Sequence, residues 1–137
     1  MTRGAALALL LGVVLFAGCV YYPTVEDIGG VRIRPENGRA VRRADGLAVY
    51  LDLASTGKFG DALVAVMAPV GKGQLVDASG VPIARLEIPG TAAVPLTAEG
   101  VHVRLTELVR AVVPGEVIIV TLVFEKSGQL GVVTRVE

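Results

Sequence analysis

The residue whose type most directly suggests chemistry is His102, the one histidine of the chain, in the stretch GVHVRLTEL (100–108). Imidazole titrates near neutral pH and is a common metal ligand. In a β-strand, side chains two residues apart lie on the same face, so His102 and Arg104 are expected to project side by side, about 6–7 Å apart at Cα. A guanidinium only donates hydrogen bonds and stays charged, so Arg104 would repel a cation held at His102.

Other chemical constellations are absent from the sequence. It has no G-x-G-x-x-G or P-loop pattern, no serine in a nucleophile-elbow context, and no cluster of carboxylates, histidines or cysteines at metal-ligand spacing. We therefore assign no catalytic residue, and the sequence gives little support to an enzyme.

The N-terminal segment is typical of an exported protein. Arg3 is followed by an apolar run from Ala5 to Phe16, which is short for a membrane-spanning helix and right for a signal peptide. The small residues before Cys19, the only cysteine, resemble the lipobox of bacterial lipoproteins, with Phe16 where leucine is usual. We predict a signal peptide over 1–18 and acylation of Cys19, which would anchor the protein in a membrane facing the periplasm or cell exterior.

The rest of the chain is predicted to be one domain. Residues 19–30 contain Pro23 and Gly29-Gly30 and are interpreted as a lipidated tether, followed by a domain over 31–137. Charge is balanced, with 13 basic and 13 acidic residues, and tryptophan is absent, so no nucleic-acid partner is expected. Arg42-Arg43 is interpreted as a solvated turn or, alternatively, as a contact with anionic lipid headgroups near the anchor.

The domain is predicted to be all-β. Leu47, Val49, Leu51 and Leu53 share one face of a strand with period two, and no stretch of ten or more residues has a convincing helical period. Eight or nine short strands separated by Gly/Pro turns favour an antiparallel Greek-key β-sandwich. Beyond 47–54, the predicted strands are 61–69, 74–78, 81–88, 92–98, 101–108, 116–126 and 129–137, with 116–126 interpreted as a central strand because it is apolar on both faces.

Four segments in order resemble the PCu(A)C family of copper chaperones: LAVYLDLASTGKFGDALVAVMAPV (47–70), LEIPG (86–90), GVHVRLTEL (100–108) and PGEVIIVTLVFEKSGQL (114–130). The resemblance runs from about Val31 to Glu137. It implies a cupredoxin-like β-sandwich that carries Cu(I) outside the cytoplasm and helps to assemble the copper site of cytochrome oxidase.

The resemblance also implies ligand positions, and most of them hold other residues here. His102 matches the second histidine of the family, but Arg104 stands where its methionine would be. The first His-Met pair would fall near 74–78, which reads QLVDA, and a further methionine would fall near Gly80-Val81. Cu(I) prefers thiolate, thioether and imidazole ligands, so the copper(I) site that this chain offers is incomplete.

The sequence leaves three interpretations of His102 open. It is a solvent-facing strand residue, or a weak metal ligand shared with Met67, a free N-terminal group or a partner's ligand, or half of an anion patch with Arg104. Met67 is alternatively strand packing. The function is accordingly copper(I) binding or delivery by an exported lipoprotein, with a copper protein as partner, or an envelope binding module that kept the fold without the metal. The sequence does not give the oligomeric state.

Overall fold

The computed structural model describes residues 30–137, so the predicted signal peptide, Cys19 and nearly all of the tether lie outside the described part. No helix long and apolar enough to cross a membrane occurs among residues 30–137. The described residues form nine strands: β1 (Ile33–Arg43), β2 (Gly46–Ser55), β3 (Asp61–Ala68), β4 (Gly71–Val76), β5 (Leu86–Ile88), β6 (Ala92–Leu96), β7 (His102–Thr106), β8 (Val117–Phe124) and β9 (Gly128–Val136).

Seven of these strands close on themselves. They follow the order β1-β9-β8-β3-β4-β7-β2, and β2 pairs again with β1, while β5 extends from β3 and β6 from β2. All pairings are antiparallel except that of β1 with β9, which is parallel over Gly38 to Ala40. The prediction of an all-β sandwich is confirmed, with a barrel-like closure through β1.

The core is built from the inward face of each strand. Leu47, Leu53, Leu63, Leu105 and Leu122 are all at most 1% exposed. Each such side chain contributes about 1.5–3 kcal/mol when fully buried. Since alternate residues point inward, the same strands fix which side chains lie on the outer surface, and the candidate site is on that surface.

Strand β1 is not among the predicted strands, and it bends in the middle. Asn37 has a left-handed backbone (φ 57°) and the register with β2 shifts between Glu36 and Arg39. At Gly38 a Cβ atom would lie 2.7 Å from the carbonyl oxygen of Val133, so only glycine allows β9 to approach this closely. The second half of β1 thereby lies between β2 and β9, which places Arg39 opposite Tyr50.

The prediction of a strand over 81–88 is wrong for 81–85. Asp77 Oδ1 accepts hydrogen bonds from the N–H groups of Ser79 and Val81, at 2.9 and 3.0 Å, and thus closes a turn over 77–81. Pro82 then forms an isolated bridge with Val76, and regular pairing resumes only at Leu86. The chain over 77–83 therefore folds back along the end of β4.

Strand β8 lies between β9 and β3, as expected for a central strand. Its apolar character on both faces does not mean burial on both. Ile118, Val120 and Leu122 point into the core, whereas Val117 and Ile119 are about half exposed on the outer surface.

Candidate functional site

His102 begins β7 and is buried. Its neighbours Val103 and Leu105 point into the core, so the imidazole lies on the outer face of the barrel, where it is nevertheless only 7% exposed. Val76 of β4 lies directly opposite it in the sheet and is fully buried. The interpretation of His102 as a solvent-facing residue is therefore wrong, because neighbouring strands and their side chains cover it.

The ring of His102 is held by two contacts. Nδ1 lies 3.1 Å from the carbonyl oxygen of Gly100. A carbonyl only accepts hydrogen bonds, so Nδ1 must carry the proton, and the lone pair of the neutral ring is on Nε2. The ring also contacts that of Tyr50, with centroids 5.6 Å apart and planes tilted by 58°.

Tyr50 forms the floor of this outer face. It is 5% exposed because two arginines of β1 cover it. Arg43 Nη2 donates a 2.9 Å hydrogen bond to the Tyr50 hydroxyl, and the guanidinium of Arg39 lies 5.2 Å from the ring centroid, a cation–π contact. Sequence reasoning missed these residues, although the period-two spacing of Arg39, Val41 and Arg43 is a signal that could have placed them on one face.

Arg104 projects on the same outer face of β7 as His102, as the spacing predicts. Its Nη1 lies 3.7 Å from Asp45 Oδ2, a long ion pair between partly exposed side chains. The guanidinium also packs against the 77–81 turn, since a Cβ built on Gly80 would lie 3.3 Å from Arg104 Nη2. Arg104 thus fills the space between β7 and the turn.

The positions that the resemblance assigns to copper ligands do come together here, but the side chains do not fit Cu(I). Beside His102 the sheet places Val76, and beside Arg104 it places Gln74, with Gly80 above. Valine offers no donor atom, glycine has no side chain, the amide oxygen of Gln74 is not a soft ligand, and a guanidinium cannot coordinate a cation. Among residues 30–137 no group of three or more His, Cys, Asp or Glu side chains could hold a metal ion.

Met67 lies elsewhere on the surface. It is 44% exposed on β3 and pairs with Lys72 of β4, which in turn pairs with Thr106 of β7. His102 is four residues further along β7, about 13 Å at the usual strand rise. The register therefore does not bring Met67 to His102.

A second polar constellation surrounds Asp61, which is 3% exposed. Its carboxylate accepts hydrogen bonds from Ser127 Oγ (2.6 Å) and from the N–H groups of Lys126 (2.8 Å), Ser127 (2.9 Å) and Ala62 (2.8 Å). Burial works to raise the pKa of Asp61, but these hydrogen bonds outweigh it and hold the pKa below its usual value of 3.8. The carboxylate joins β3 to the β8–β9 turn, so we assign it a structural role.

Comparison with solved structures identifies the fold. The copper-bound PCuAC domain from PmoF2 superposes with a TM-score of 0.67 at 23% identity, covering 80% of this chain and 93% of that one. The apo PCuAC domain from PmoF1 gives 0.66 at 23% identity, covering 80% and 94%. The solution structure of CuI-DR1885 from Deinococcus radiodurans gives 0.63 at 23% identity, covering 84% and 86%. The barrel thus has the fold of PCuAC domains, and the predicted cupredoxin-like fold is confirmed.

The sequence defines its family more closely. The family model described as "Putative lipoprotein LpqE-like" matches residues 27–136. The chain belongs to this LpqE-like family. No curated protein sequence is significantly similar to it.

Proposed function

We propose that this chain is an exported, lipid-anchored PCuAC-type domain that works as a binding module of the cell envelope and does not hold Cu(I) tightly by itself. One observation carries the proposal. Three guanidinium groups, those of Arg39, Arg43 and Arg104, cover the outer face on which His102 lies, where the resemblance places copper ligands.

The charge of this face suits a carboxylate-bearing partner. Guanidinium binds carboxylates in a bidentate geometry and is weakly hydrated, which favours it at protein interfaces. The ion pairs that these arginines form within the chain are long, at 3.5 Å between Arg39 and Glu137 and 3.7 Å between Arg104 and Asp45. All four side chains are exposed or partly exposed, so these pairs are weak. A partner's Asp or Glu side chains would replace Glu137 and Asp45 at little cost.

Export and lipid anchoring rest on the signal-peptide pattern and Cys19, and the description of the LpqE-like family as lipoproteins supports them. Mass spectrometry of the protein from its native membrane tests this directly. We expect an acylated N-terminal Cys19 in the wild type and an unmodified, unprocessed chain for Cys19→Ser. An unmodified wild-type Cys19 would refute the anchor.

The metal part of the proposal is tested by titrating Cu(I) against a competing chelator, with wild type and His102→Ala side by side. A lone imidazole is a weak Cu(I) ligand, so we expect both proteins to compete equally poorly. Sub-micromolar binding that disappears in His102→Ala would overturn the proposal.

A shared copper site is the second candidate, and one observation favours it. The hydrogen bond between His102 Nδ1 and the Gly100 carbonyl leaves Nε2 as the nitrogen available to a metal, an arrangement typical of metal-binding histidines. Such a site needs ligands from another molecule. Its signature would be a complex that forms only when Cu(I) is added and that His102→Ala abolishes, as measured by size-exclusion chromatography with light scattering.

A further inference from the structure

One end of the barrel carries an exposed aromatic side chain where the chain enters the domain. The N–H of Phe59 donates a 2.9 Å hydrogen bond to the carbonyl oxygen of Gly30, the first described residue. The Phe59 ring packs against Gly30, with Cδ2 3.1 Å from the position of a Cβ on that glycine, yet the side chain is 51% exposed. The tether therefore joins the domain beside a half-exposed phenylalanine.

Basic side chains surround this phenylalanine. Lys58 Nζ lies 5.6 Å from the centroid of the Phe59 ring, and Lys126 Nζ lies 3.4 Å from the carbonyl oxygen of the next residue, Gly60. Arg34, exposed on the outer face of β1, lines a cleft of about 440 Å³ at the same end.

Among residues 30–137, three acidic side chains near this end are engaged, while Glu36, two residues along β1 from Arg34, is exposed. Asp61 is buried and accepts hydrogen bonds from three backbone N–H groups and the Ser127 hydroxyl. Glu87 and Glu125 both pair with Arg85, at 2.7 and 3.0 Å. Lys58, Lys126 and Arg34 thus leave a positive charge excess around an apolar ring, a combination that suits an anionic lipid surface.

The length of the tether fits the same partner. The 11 residues from Cys19 to Gly30 span at most about 40 Å, so a chain anchored at Cys19 keeps Phe59 within reach of the headgroups. Arg42 and Arg43 end β1, at most about 33 Å from its start at Ile33, and pair with the opposite end of β2, so they lie at the opposite end of the barrel. The alternative that Arg42-Arg43 contacts lipid headgroups near the anchor is therefore disfavoured.

We propose that the barrel end formed by Phe59, Lys58, Lys126 and Arg34 docks on an anionic membrane surface, with Phe59 entering the headgroup region. This inference rests on the proposed anchor at Cys19. Docking at this end leaves the arginine face over Tyr50, on the side wall of the barrel, accessible to a partner.

The composition of the chain permits a clean test. It has no tryptophan and a single cysteine, so Phe59→Trp introduces a unique tryptophan, which can be excited apart from the three tyrosines, and Cys19 is a unique thiol. The chain from Cys19 to Glu137 is coupled through that thiol to maleimide lipids in vesicles of phosphatidylcholine with or without phosphatidylglycerol. Chemical coupling anchors the chain whether or not Cys19 is acylated in cells. A failure of the barrel end to dock is therefore distinguished from a failure of the proposed lipidation. The matched control is Ala44→Trp, in the exposed turn at the opposite end.

On anionic vesicles we expect the emission of Phe59→Trp to shift to the blue and to be quenched by brominated lipids, and both effects to fade in high salt. Adding Lys58→Glu should reduce the docked population about fivefold or more, as expected for loss of a basic residue at an anionic surface. Ala44→Trp should keep the emission of a solvent-exposed ring. An unshifted Phe59→Trp, an equal shift on neutral vesicles, or equal quenching of Ala44→Trp would each overturn the proposal.

Discussion

His102 packs against Tyr50, with ring centroids 5.6 Å apart and planes tilted by 58°. The same tyrosine receives a hydrogen bond from Arg43 and the guanidinium of Arg39 over its ring. The histidine is therefore one member of a packed outer layer that spans β1, β2 and β7. This layer gives the imidazole a structural role that requires no metal.

Arg104→Met would restore the His-x-Met half-site that the resemblance implies. A thioether would replace a repelling charge beside His102, so Cu(I) affinity should rise by about tenfold or more, equivalent to roughly 1.4 kcal/mol. The measurement is a Cu(I) competition titration of wild type and variant.

Arg104→Leu is the control for that experiment, because it removes the charge without adding sulfur. It should gain less than Arg104→Met. If neither variant binds more Cu(I) than wild type, replacement of this one residue does not explain the weakness of the site.

Arg39 and Arg43 are predicted to bind a partner's carboxylates. Substituting both by glutamine should weaken binding of an Asp/Glu-rich peptide about 1.4- to fivefold per arginine, since each exposed ion pair contributes about 0.2–1 kcal/mol. Isothermal titration calorimetry at low salt measures the change. The control is Arg34→Gln, at the other end of the barrel, which removes one positive charge and should leave the affinity for the peptide unchanged. An equal loss of affinity in Arg34→Gln would contradict a localised site.

Asp61→Asn should destabilise the fold by about 2–3 kcal/mol. The amide NH₂ group would face N–H and O–H donors whose hydrogen bonds the carboxylate accepts in the wild type. Chemical denaturation monitored by circular dichroism measures the loss. The matched control is Asp77→Asn, in an exposed turn with two backbone hydrogen bonds, which should lose less. Equal losses would refute the structural role of Asp61.

The effect of Asp61 depends on pH in a defined direction. Its pKa is lowered in the folded protein, so its stabilising contribution is present above the unfolded pKa of about 3.9 and is lost as the pH falls through the folded pKa. The difference in unfolding free energy between wild type and Asp61→Asn should therefore shrink below about pH 4. A difference that stays constant to lower pH would contradict this linkage.

The sequence predicts the strands whose inward residues are apolar at period two, such as β2. Strand β1 lacks that signal, because Pro35 and Asn37-Gly38 interrupt it and charged residues occupy both of its halves. Local spacing also predicts that His102 and Arg104 share a face. The burial of His102 could not be predicted locally, since it depends on Tyr50 and on arginines about 60 residues earlier in the chain, brought together by the register.

The most direct test of the account observes the imidazole nitrogens of His102 by NMR, with and without Cu(I) held at a sub-micromolar free concentration by a competing chelator. The chain has a single histidine, so the two nitrogen signals are unambiguous. We predict that Nδ1 carries a proton and that the chemical shift of Nε2 does not change when Cu(I) is added. A large shift of Nε2 when Cu(I) is added, with no partner protein present, would show that His102 binds copper and would contradict the central claim.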